Sequence, residues 1–399
     1  MRGLPLSTRE LQDELVRLRR QLHAEPEVGL DLPRTQEKVL AALDGLPLEI
    51  TTGSGLSSVT AVLRGARPGP TVLLRADMDA LPVTEQTGVD YASRIDGRMH
   101  ACGHDLHTAM LVGAARLLTE RRAELAGDVV LMFQPGEEGC DGAGKMIAEG
   151  VLKASGSHPV AAYGMHVQAA RHDLGTFTTR RGPLMAGGDL LRVTVRGAGG
   201  HGSTPHRAKD PIAPACEMVG ALQALVARTV DPFETVVLTV GSFHSGDAGN
   251  VIPGEACFDG SLRWFSAPSR DAVWAGIAAV CNGIAAAHGV EVDVDLTEYV
   301  RATINDDAEA EFAAQVAADA HGDRFSWLDR PVTGGEDFSR VLEQVPGAFI
   351  FLGACPQDRD PATAPDNHSP FAVFDDGVLA DGAALYAELA IRRLAERQP

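Results

Sequence analysis

A cysteine and three histidines lie within one short stretch of the sequence, Met99 to Met110. Cys102 and His104 are two residues apart, and a thiolate together with imidazoles suits zinc or another first-row divalent cation. The same residue types also occur where a cysteine is only a small buried apolar side chain and the histidines are ordinary polar residues. The stretch is therefore a candidate metal centre that needs further ligands from elsewhere in the chain.

The residues that follow this stretch predict a helix. Apolar residues recur there with a 3.6-residue period: Leu106, Ala109, Met110, Gly113, Ala114, Leu117 and Leu118. We expect the helix to start near Asp105, which could cap it. Cys102 and His104 would lie on different sides of a helix, so they are expected in a tight turn before it, where Gly103 allows the bend.

Acidic and histidine residues elsewhere come after short apolar runs that indicate buried parallel strands. The runs are residues 72–74, 129–133, 161–165 and 348–352, and they are followed by Asp77 and Asp79, Glu137 and Glu138, His166, and His368, respectively. Ligands bind at the carboxyl ends of strands in an open α/β sheet, because loops from neighbouring strands converge there. These side chains are more numerous than the ligands of one tetrahedral zinc ion, so the pattern favours two metals that share ligands.

The predicted fold class is α/β, a mostly parallel sheet flanked by helices, with a second domain inserted into it. Between about Leu184 and Leu296 the pattern changes to half-polar strands and helices in the order β-α-β-β-α-β, which is typical of a ferredoxin-like unit. We therefore predict a metal-binding domain over residues 1–184 and 296–399, and an inserted lid or dimerisation domain over residues 185–295. The antiparallel sheet of the insert would expose an edge that could pair with a second copy.

A glycine-rich segment within the insert, Gly197 to Gly202, fits the Gly-x-Gly-x-x-Gly pattern of dinucleotide-binding turns. Pro205 and Pro211 lie where the phosphate-binding helix should begin and run, and the preceding strand is half polar. The segment therefore favours either a flexible loop or a loop that presents His201 and His206 to the site.

Composition limits the remaining possibilities. With 399 residues, 45% of them hydrophobic, two domains are expected. A net charge of -19 argues against nucleic acid or an anionic membrane as a partner. The six scattered cysteines indicate reduced thiols. Ser7 and Glu10 could form the capping box of an amphipathic first helix, and such a helix is not a signal peptide. No apolar run is long enough to span a bilayer. The cytoplasm is therefore the expected location.

Taken together, the motifs resemble the M20 metallopeptidase family, in its amidohydrolase branch of N-acyl-amino-acid and hippurate hydrolases and plant auxin-conjugate hydrolases. The resemblance covers nearly the whole chain, in family order. It rests on residues 23–27, 75–82, 99–107, 134–139, 164–166, 200–206, 249–254, 334–338 and 367–370.

The resemblance implies two divalent ions, zinc or manganese, with cobalt or nickel also tolerated. It implies Glu137 as general base and these metal ligands: Cys102, His104, Glu138, His166 and His368. The sequence departs from the wider family at Asp77-Met78-Asp79, where His-x-Asp is usual, and the Cys-Gly-His turn is expected to compensate. Asp79 is expected to orient a ligand rather than to bind a metal.

The resemblance also implies an amidohydrolase of N-acyl amino acids in which His201 stabilises the oxyanion. Asn250 and Arg263 would hold the substrate carboxylate, with His206 nearby, and the enzyme would be a homodimer or homotetramer. His100 and His107 match the motif but are given no ligand role; packing or outer-shell hydrogen bonding is expected of them. The alternatives are a carboxypeptidase or dipeptidase of the same family, a metal-stabilised binding protein without catalysis, and a nicotinamide-dependent oxidoreductase supported only by the glycine-rich segment.

Overall fold

The computed structural model describes residues 8–396 of the chain. These residues form two compact units: the second comprises Met185–Thr303 and Pro331–Glu336, and the first contains the rest. Ser7, half of the predicted capping box with Glu10, lies outside the described residues. The predicted boundary between residues 295 and 296 falls inside a strand of the second unit, Glu291–Val300.

From residue 8 up to the second unit, the chain contains four α-helices and seven strands, in the following order. They are α1 (Thr8–His23), α2 (Pro33–Leu43), β1 (Leu48–Thr52), β2 (Val59–Leu63), β3 (Arg67–Asp77), α3 (His104–Glu120), β4 (Ala126–Gln134), α4 (Gly142–Ala148), β5 (Ala161–Gln168), β6 (Phe177–Thr179) and β7 (Gly182–Met185). The second unit follows with β8 (Gly187–Arg196), β9 (Gly200–His201), α5 (Ile212–Thr229), β10 (Val236–Ser245), β11 (Val251–Ile252), β12 (Glu255–Trp264), α6 (Ala267–His288) and β13 (Glu291–Val300). The remaining elements are β14 (Thr303–Asn305), α7 (Asp307–His321), β15 (Phe325–Trp327), α8 (Ser339–Leu342), β16 (Gly347–Gly353) and α9 (Leu379–Ala395).

The first unit is built on an eight-stranded sheet with the order β1-β2-β4-β3-β5-β16-β6-β15. Its central strands β4, β3, β5 and β16 are parallel. They are apolar and buried because helices such as α3 and α9 pack against the sheet. The predicted α/β fold with a mostly parallel sheet is confirmed. Asp77 lies opposite Gln134 across β3 and β4, so the loops after these two strands start at the same edge of the sheet.

The second unit is a four-stranded antiparallel sheet with the order β10-β12-β8-β13 and two helices, α5 and α6. Along β8, Leu191, Val193 and Val195 are buried, whereas Arg192 and Arg196 are exposed. This alternation arises because successive side chains point to opposite faces of a strand. Strand order and connectivity agree with the predicted ferredoxin-like unit.

Two further features concern the environment of the chain. In the part that the structure describes, we find no helix with the length and apolar character needed to cross a lipid bilayer. All six cysteines are free thiols.

Candidate metal centre

The turn that carries Cys102 depends on a left-handed glycine. Gly103 has φ +87°, and a Cβ atom at this position would lie 2.3 Å from Val167 Cγ2. A side chain would therefore meet both backbone strain and a steric clash. α3 begins immediately after this glycine, at His104. The tight turn at Gly103 is as predicted.

Asp105 does not cap α3, and that part of the prediction is wrong. Gly103 occupies the N-cap position, and no side chain caps the helix there. The buried Asp105 carboxylate instead accepts hydrogen bonds from Arg19 Nε and His23 Nδ1, each at 2.7 Å. Two donors from α1 thus fix the first turn of α3, next to His104.

Cys102 Sγ lies between two imidazoles that come from distant parts of the sequence. His166 Nε2 is 3.3 Å from the sulfur, and His368 Nε2 is 3.2 Å from it. His368 Nε2 is also 3.1 Å from Glu138 Oε1. One thiol, two imidazoles and one carboxylate are therefore linked by successive contacts, a set of donors that suits a borderline-soft cation.

His104 is buried, and among the described residues neither of its ring nitrogens has a hydrogen-bond partner. The nearest carboxylate oxygens, Asp79 Oδ1 and Asp77 Oδ2, are 3.5 Å and 3.6 Å away. A buried polar group without a partner is costly, so an imidazole in this position indicates a missing ligand. The residues present therefore fit a metal at this point.

The five predicted ligands come together in the first unit, in overlapping groups whose donor atoms lie within 4.8 Å of one another. One group is Cys102, His104 and His166; a second is Cys102, Glu138 and His368; a third is His104, Glu137 and Glu138. Cys102 belongs to two of these groups, as do His104 and Glu138. This overlap is what two adjacent cations with shared ligands require.

Asp79 fixes the loop that carries both glutamates. Its Oδ1 accepts the backbone N–H of Glu137 and its Oδ2 accepts that of Glu138, each at 3.0 Å. The loop is a tight one, since Gly136 and Gly139 have φ of +72° and +78°. Asp79 thus orients the glutamates through their backbone.

His166 is held as a neutral imidazole with its Nε2 toward Cys102. Its Nδ1 is 2.8 Å from the carbonyl oxygen of Val167, which can only accept, so Nδ1 carries the proton. Burial lowers the pKa of His166 well below its usual value. The lone pair of Nε2 therefore points toward Cys102, in the state that a metal requires. His166 itself lies inside β5, although the sequence suggested that the strand ends before it.

His368 lies on a loop whose backbone is fixed on both sides. Its own φ of +69° is unusual for a residue other than glycine, and its N–H donates to Ala101 O at 2.8 Å. Asn367 Nδ2 donates to the carbonyl oxygens of Cys102 and Val167, and Asn367 Oδ1 accepts from Ala169 N. Hydrogen bonds to Cys102 and Glu138 raise the pKa of His368 to about 10, so a metal would have to displace its proton.

The remaining predicted residues lie in the second unit. His201, on β9, pairs with Val251 of β11, and the backbone carbonyl of the adjacent Asn250 accepts Gly202 N at 2.9 Å. His201 Nδ1 accepts the backbone N–H of Ser203 at 3.1 Å, so its proton is on the exposed Nε2. The unit therefore brings His201 and Asn250 together and presents an N–H donor.

Arg263 lies on β12, and its NH1 nitrogen is buried without a hydrogen-bond partner among the described residues. His206 lies exposed in a 3-10 turn, Pro205–Arg207. The glycine-rich segment leads into this turn and not directly into a helix, so it lacks the geometry of a dinucleotide-binding turn.

Sequence reasoning misses two of the residues that hold the ligands in place. Asn367 enters only as part of a motif and Asp77 only as a departure from a pattern, whereas packing or an outer-shell hydrogen bond is expected of His107. The signal that could have found them was their position, because each is within three residues of a predicted functional residue.

A thiol, imidazoles and carboxylates around shared donors, with a further glutamate alongside, define a centre typical of metal-dependent hydrolases. The sequence pattern of peptidase family M20/M25/M40 matches residues 73–392. The chain belongs to this family, and it is a metal-dependent hydrolase.

Several relatives are similar over almost their entire length. Thermostable carboxypeptidase 1 of Saccharolobus solfataricus is 36% identical over 387 residues, 96% of each chain. An N-acetylcysteine deacetylase of Bacillus subtilis is 35% identical, covering 97% of this chain and 98% of its own. An IAA-amino acid hydrolase of Arabidopsis thaliana is 37% identical, covering 96% and 86%.

A solved structure is also similar. A dinuclear metal-binding peptidase of the M20 family from Bacillus subtilis matches with a TM-score of 0.83 and 33% identity, covering 97% of this chain and 99% of that one.

Proposed function

We propose that the protein hydrolyses the amide bond of N-acyl amino acids, of the N-acetyl or N-benzoyl type, to a carboxylate and an amino acid. The observation that carries the proposal is the set of overlapping donor groups around Cys102, with Glu137 beside it. Two relatives named for N-acetylcysteine and for IAA-amino acids support this substrate class.

The donor groups accommodate two divalent cations. Zinc is the first candidate, because a thiolate and three imidazoles suit it, and manganese, cobalt and nickel are the alternatives. When bound, such a pair lowers the pKa of a water and polarises the carbonyl of the amide. Cys102 lies in two of the donor groups, one with His104 and His166 and one with Glu138 and His368, so its sulfur would be within reach of both cations.

Glu137 is the general base in this proposal. It is half-buried, and its backbone is fixed by Asp79, so its carboxylate is held at the edge of the donor cluster. It would take the proton of the attacking water and pass it to the nitrogen of the leaving amine.

The substrate contacts in this proposal are assigned to His201, Asn250, Arg263 and His206. His201, which carries its proton on Nε2, would donate to the developing oxyanion. Asn250 and Arg263 would bind the free carboxylate of the substrate, for which the planar fork of a guanidinium is suited. His206 would contribute a further polar contact.

The test is an assay of the purified protein, loaded with zinc or manganese, against N-acetyl and N-benzoyl amino acids. A chelator should abolish hydrolysis. Glu137→Gln should keep both metals and lose about 10²- to 10⁴-fold in kcat. The same substitution at the exposed Glu120, at the end of α3, is the matched control and should change neither. Normal turnover by Glu137→Gln would refute the base assignment.

A second candidate function is a carboxypeptidase or dipeptidase, favoured by the relative named thermostable carboxypeptidase 1. Comparing kcat/KM for dipeptides with that for N-acyl amino acids separates the two. A protein that binds metals but turns over neither substrate would instead be a metal-stabilised binding protein.

We further propose a homodimer or homotetramer. β10 is an edge strand of the second sheet, and Val237 on it is 45% exposed, a surface that suits pairing with a second copy. Light scattering after gel filtration tests this, and a monomer mass at all concentrations contradicts it. A cytoplasmic location is part of the proposal, because six free cysteines without a disulfide framework suit a reducing compartment.

A further inference from the structure

His107 lies one turn after His104 in α3 and is fully buried. Its Nδ1 is 2.6 Å from Asp77 Oδ1, and its Nε2 is 2.8 Å from the backbone nitrogen of Val167. A backbone N–H can only donate, so Nε2 accepts and the proton of the ring is on Nδ1, where it is donated to the carboxylate. Both nitrogens are thus engaged.

This geometry excludes His107 as a metal ligand. Asp77, His104 and His107 have donor atoms within 4.8 Å of one another and could be taken for a third metal site. A ligand must offer a free lone pair, and the Nε2 lone pair is occupied by Val167 N–H. Asp77 is also committed, since its Oδ2 accepts from Arg75 at 2.7 Å.

The ring of His107 packs between two of the candidate ligands. Its centroid is 4.7 Å from that of His166 and 5.4 Å from that of His104, with which it is stacked. The ladder between β3 and β5 ends at Gly164, so the N–H of Val167 does not pair with the backbone of β3. This N–H donates to the side chain of His107 instead.

Val167 connects His107 to His166. Its N–H donates to His107, and its carbonyl oxygen accepts from His166 Nδ1. We infer that His107 is a positioning residue: through Asp77 on one side and Val167 on the other, it fixes the orientation in which His166 offers Nε2 to a metal. The inference rests on the metal centre of the proposed function.

Two variants separate the two arms of this arrangement. His107→Gln places an amide where Nε2 was and can still accept from Val167 N–H. His107→Asn places its amide where Nδ1 was, so it retains the donor to Asp77 and loses the acceptor. We expect His107→Asn to weaken binding of one metal by about 10- to 100-fold, and His107→Gln to retain most of the affinity. His321→Asn, on α7, is the matched control and should bind both metals normally.

The readouts are metal affinity, by competition with a chromophoric chelator, and the absorption of the Co(II)-loaded protein, whose d–d bands report ligand geometry. Unchanged affinity and bands in His107→Asn overturn the inference, as does an equal loss in both variants. A merely structural role would lower the Tm of both variants and leave the bands unaltered.

The wild-type protein provides a test that does not depend on a variant. Two-bond ¹H–¹⁵N spectra should show His107 protonated on Nδ1 only, and a proton on Nε2 overturns the inference. If wild-type protein binds two metals but hydrolyses no N-acyl amino acid, the proposed function fails while these results still decide the role of His107.

Discussion

The carboxylate of Asp79 accepts the backbone N–H of Glu137 at 3.0 Å, while its other oxygen accepts that of Glu138 at the same distance. Asp79→Asn would replace one acceptor by an NH₂ group that faces a donor. An unsatisfied buried donor costs about 1–3 kcal/mol, so we expect lower stability and a displaced glutamate loop. Kinetics should show a fall in kcat larger than any change in KM. An unchanged kcat would show that the loop is positioned by other contacts.

Gly103→Ala should disrupt the turn before α3. The left-handed backbone alone costs about 1–3 kcal/mol for a residue with a side chain, and the contact with Val167 adds to it. Gly283→Ala is the matched control: it lies in α6 with no atom within 4 Å of the added Cβ, and it should stabilise the protein by about 0.5–1 kcal/mol. Urea unfolding of both variants measures the difference. Equal stability of the two variants would contradict the required geometry.

Cys102→Ser should affect both metals, whereas His166→Gln should affect mainly one. Cys102 is in two donor groups, one with His166 and the other with His368, whereas His166 is in only one group. We therefore expect metal analysis after desalting to find little metal in Cys102→Ser and about half of the wild-type content in His166→Gln. A wild-type metal content in Cys102→Ser would exclude the sulfur as a shared ligand.

Removal of the metals should lower the thermal stability of the protein. An ion that binds only the folded state stabilises it by mass action, and without one His104 remains buried with both ring nitrogens unpartnered. We expect the Tm to fall on addition of a chelator and to recover with zinc. Differential scanning fluorimetry measures this, and a Tm that is insensitive to the chelator contradicts it.

The buried pair of His23 and Glu85 predicts how stability depends on pH. Burial alone would lower the pKa of His23, but the charge of Asp105 and the hydrogen bonds to Asp105 and Glu85 raise it above 6.5. The stability that protonated His23 contributes is therefore complete below about pH 6.5 and is lost as the pH rises through the raised pKa. Relative to His23→Gln, the wild type should lose part of its advantage between pH 6 and pH 9 in urea unfolding. A difference that is independent of pH contradicts this.

Glu85 affects the stability of the protein at acidic pH. Burial would raise its pKa, but hydrogen bonds, first of all from His23, lower it to about 2. Its contribution to stability is present above about pH 4.5 and is lost as the pH falls toward 2. In the same urea series extended to acidic pH, Glu85→Gln should therefore lose less stability than the wild type below pH 4.5.

The sequence predicted the elements of the fold because buried strands are continuous apolar runs. The ends of these strands indicated a larger set of candidate ligands, and the resemblance to the M20 family selected five of them. Asp105 was misjudged because its partners, Arg19 and His23, lie 86 and 82 residues away in α1. A nearby helix start made capping the simplest prediction, and only tertiary packing could show that the carboxylate is used elsewhere.

The link from Asp77 through His107 to Val167 could not be predicted for a related reason. It depends on where α3 lies over the ends of β3 and β5, and on the point at which the ladder between these strands stops. Neither hydrophobic periodicity nor motif spacing contains that information.

All five candidate ligands, and the residues that support them, are encoded outside residues 185–303, whereas Asn250 and Arg263 are encoded within them. If Asn250 and Arg263 bind the substrate carboxylate as proposed, substitutions in the inserted segment would alter which amino acid is accepted while the metal ligands stay the same. Libraries that vary this segment but keep His201 would be a direct way to change selectivity without rebuilding the reactive centre.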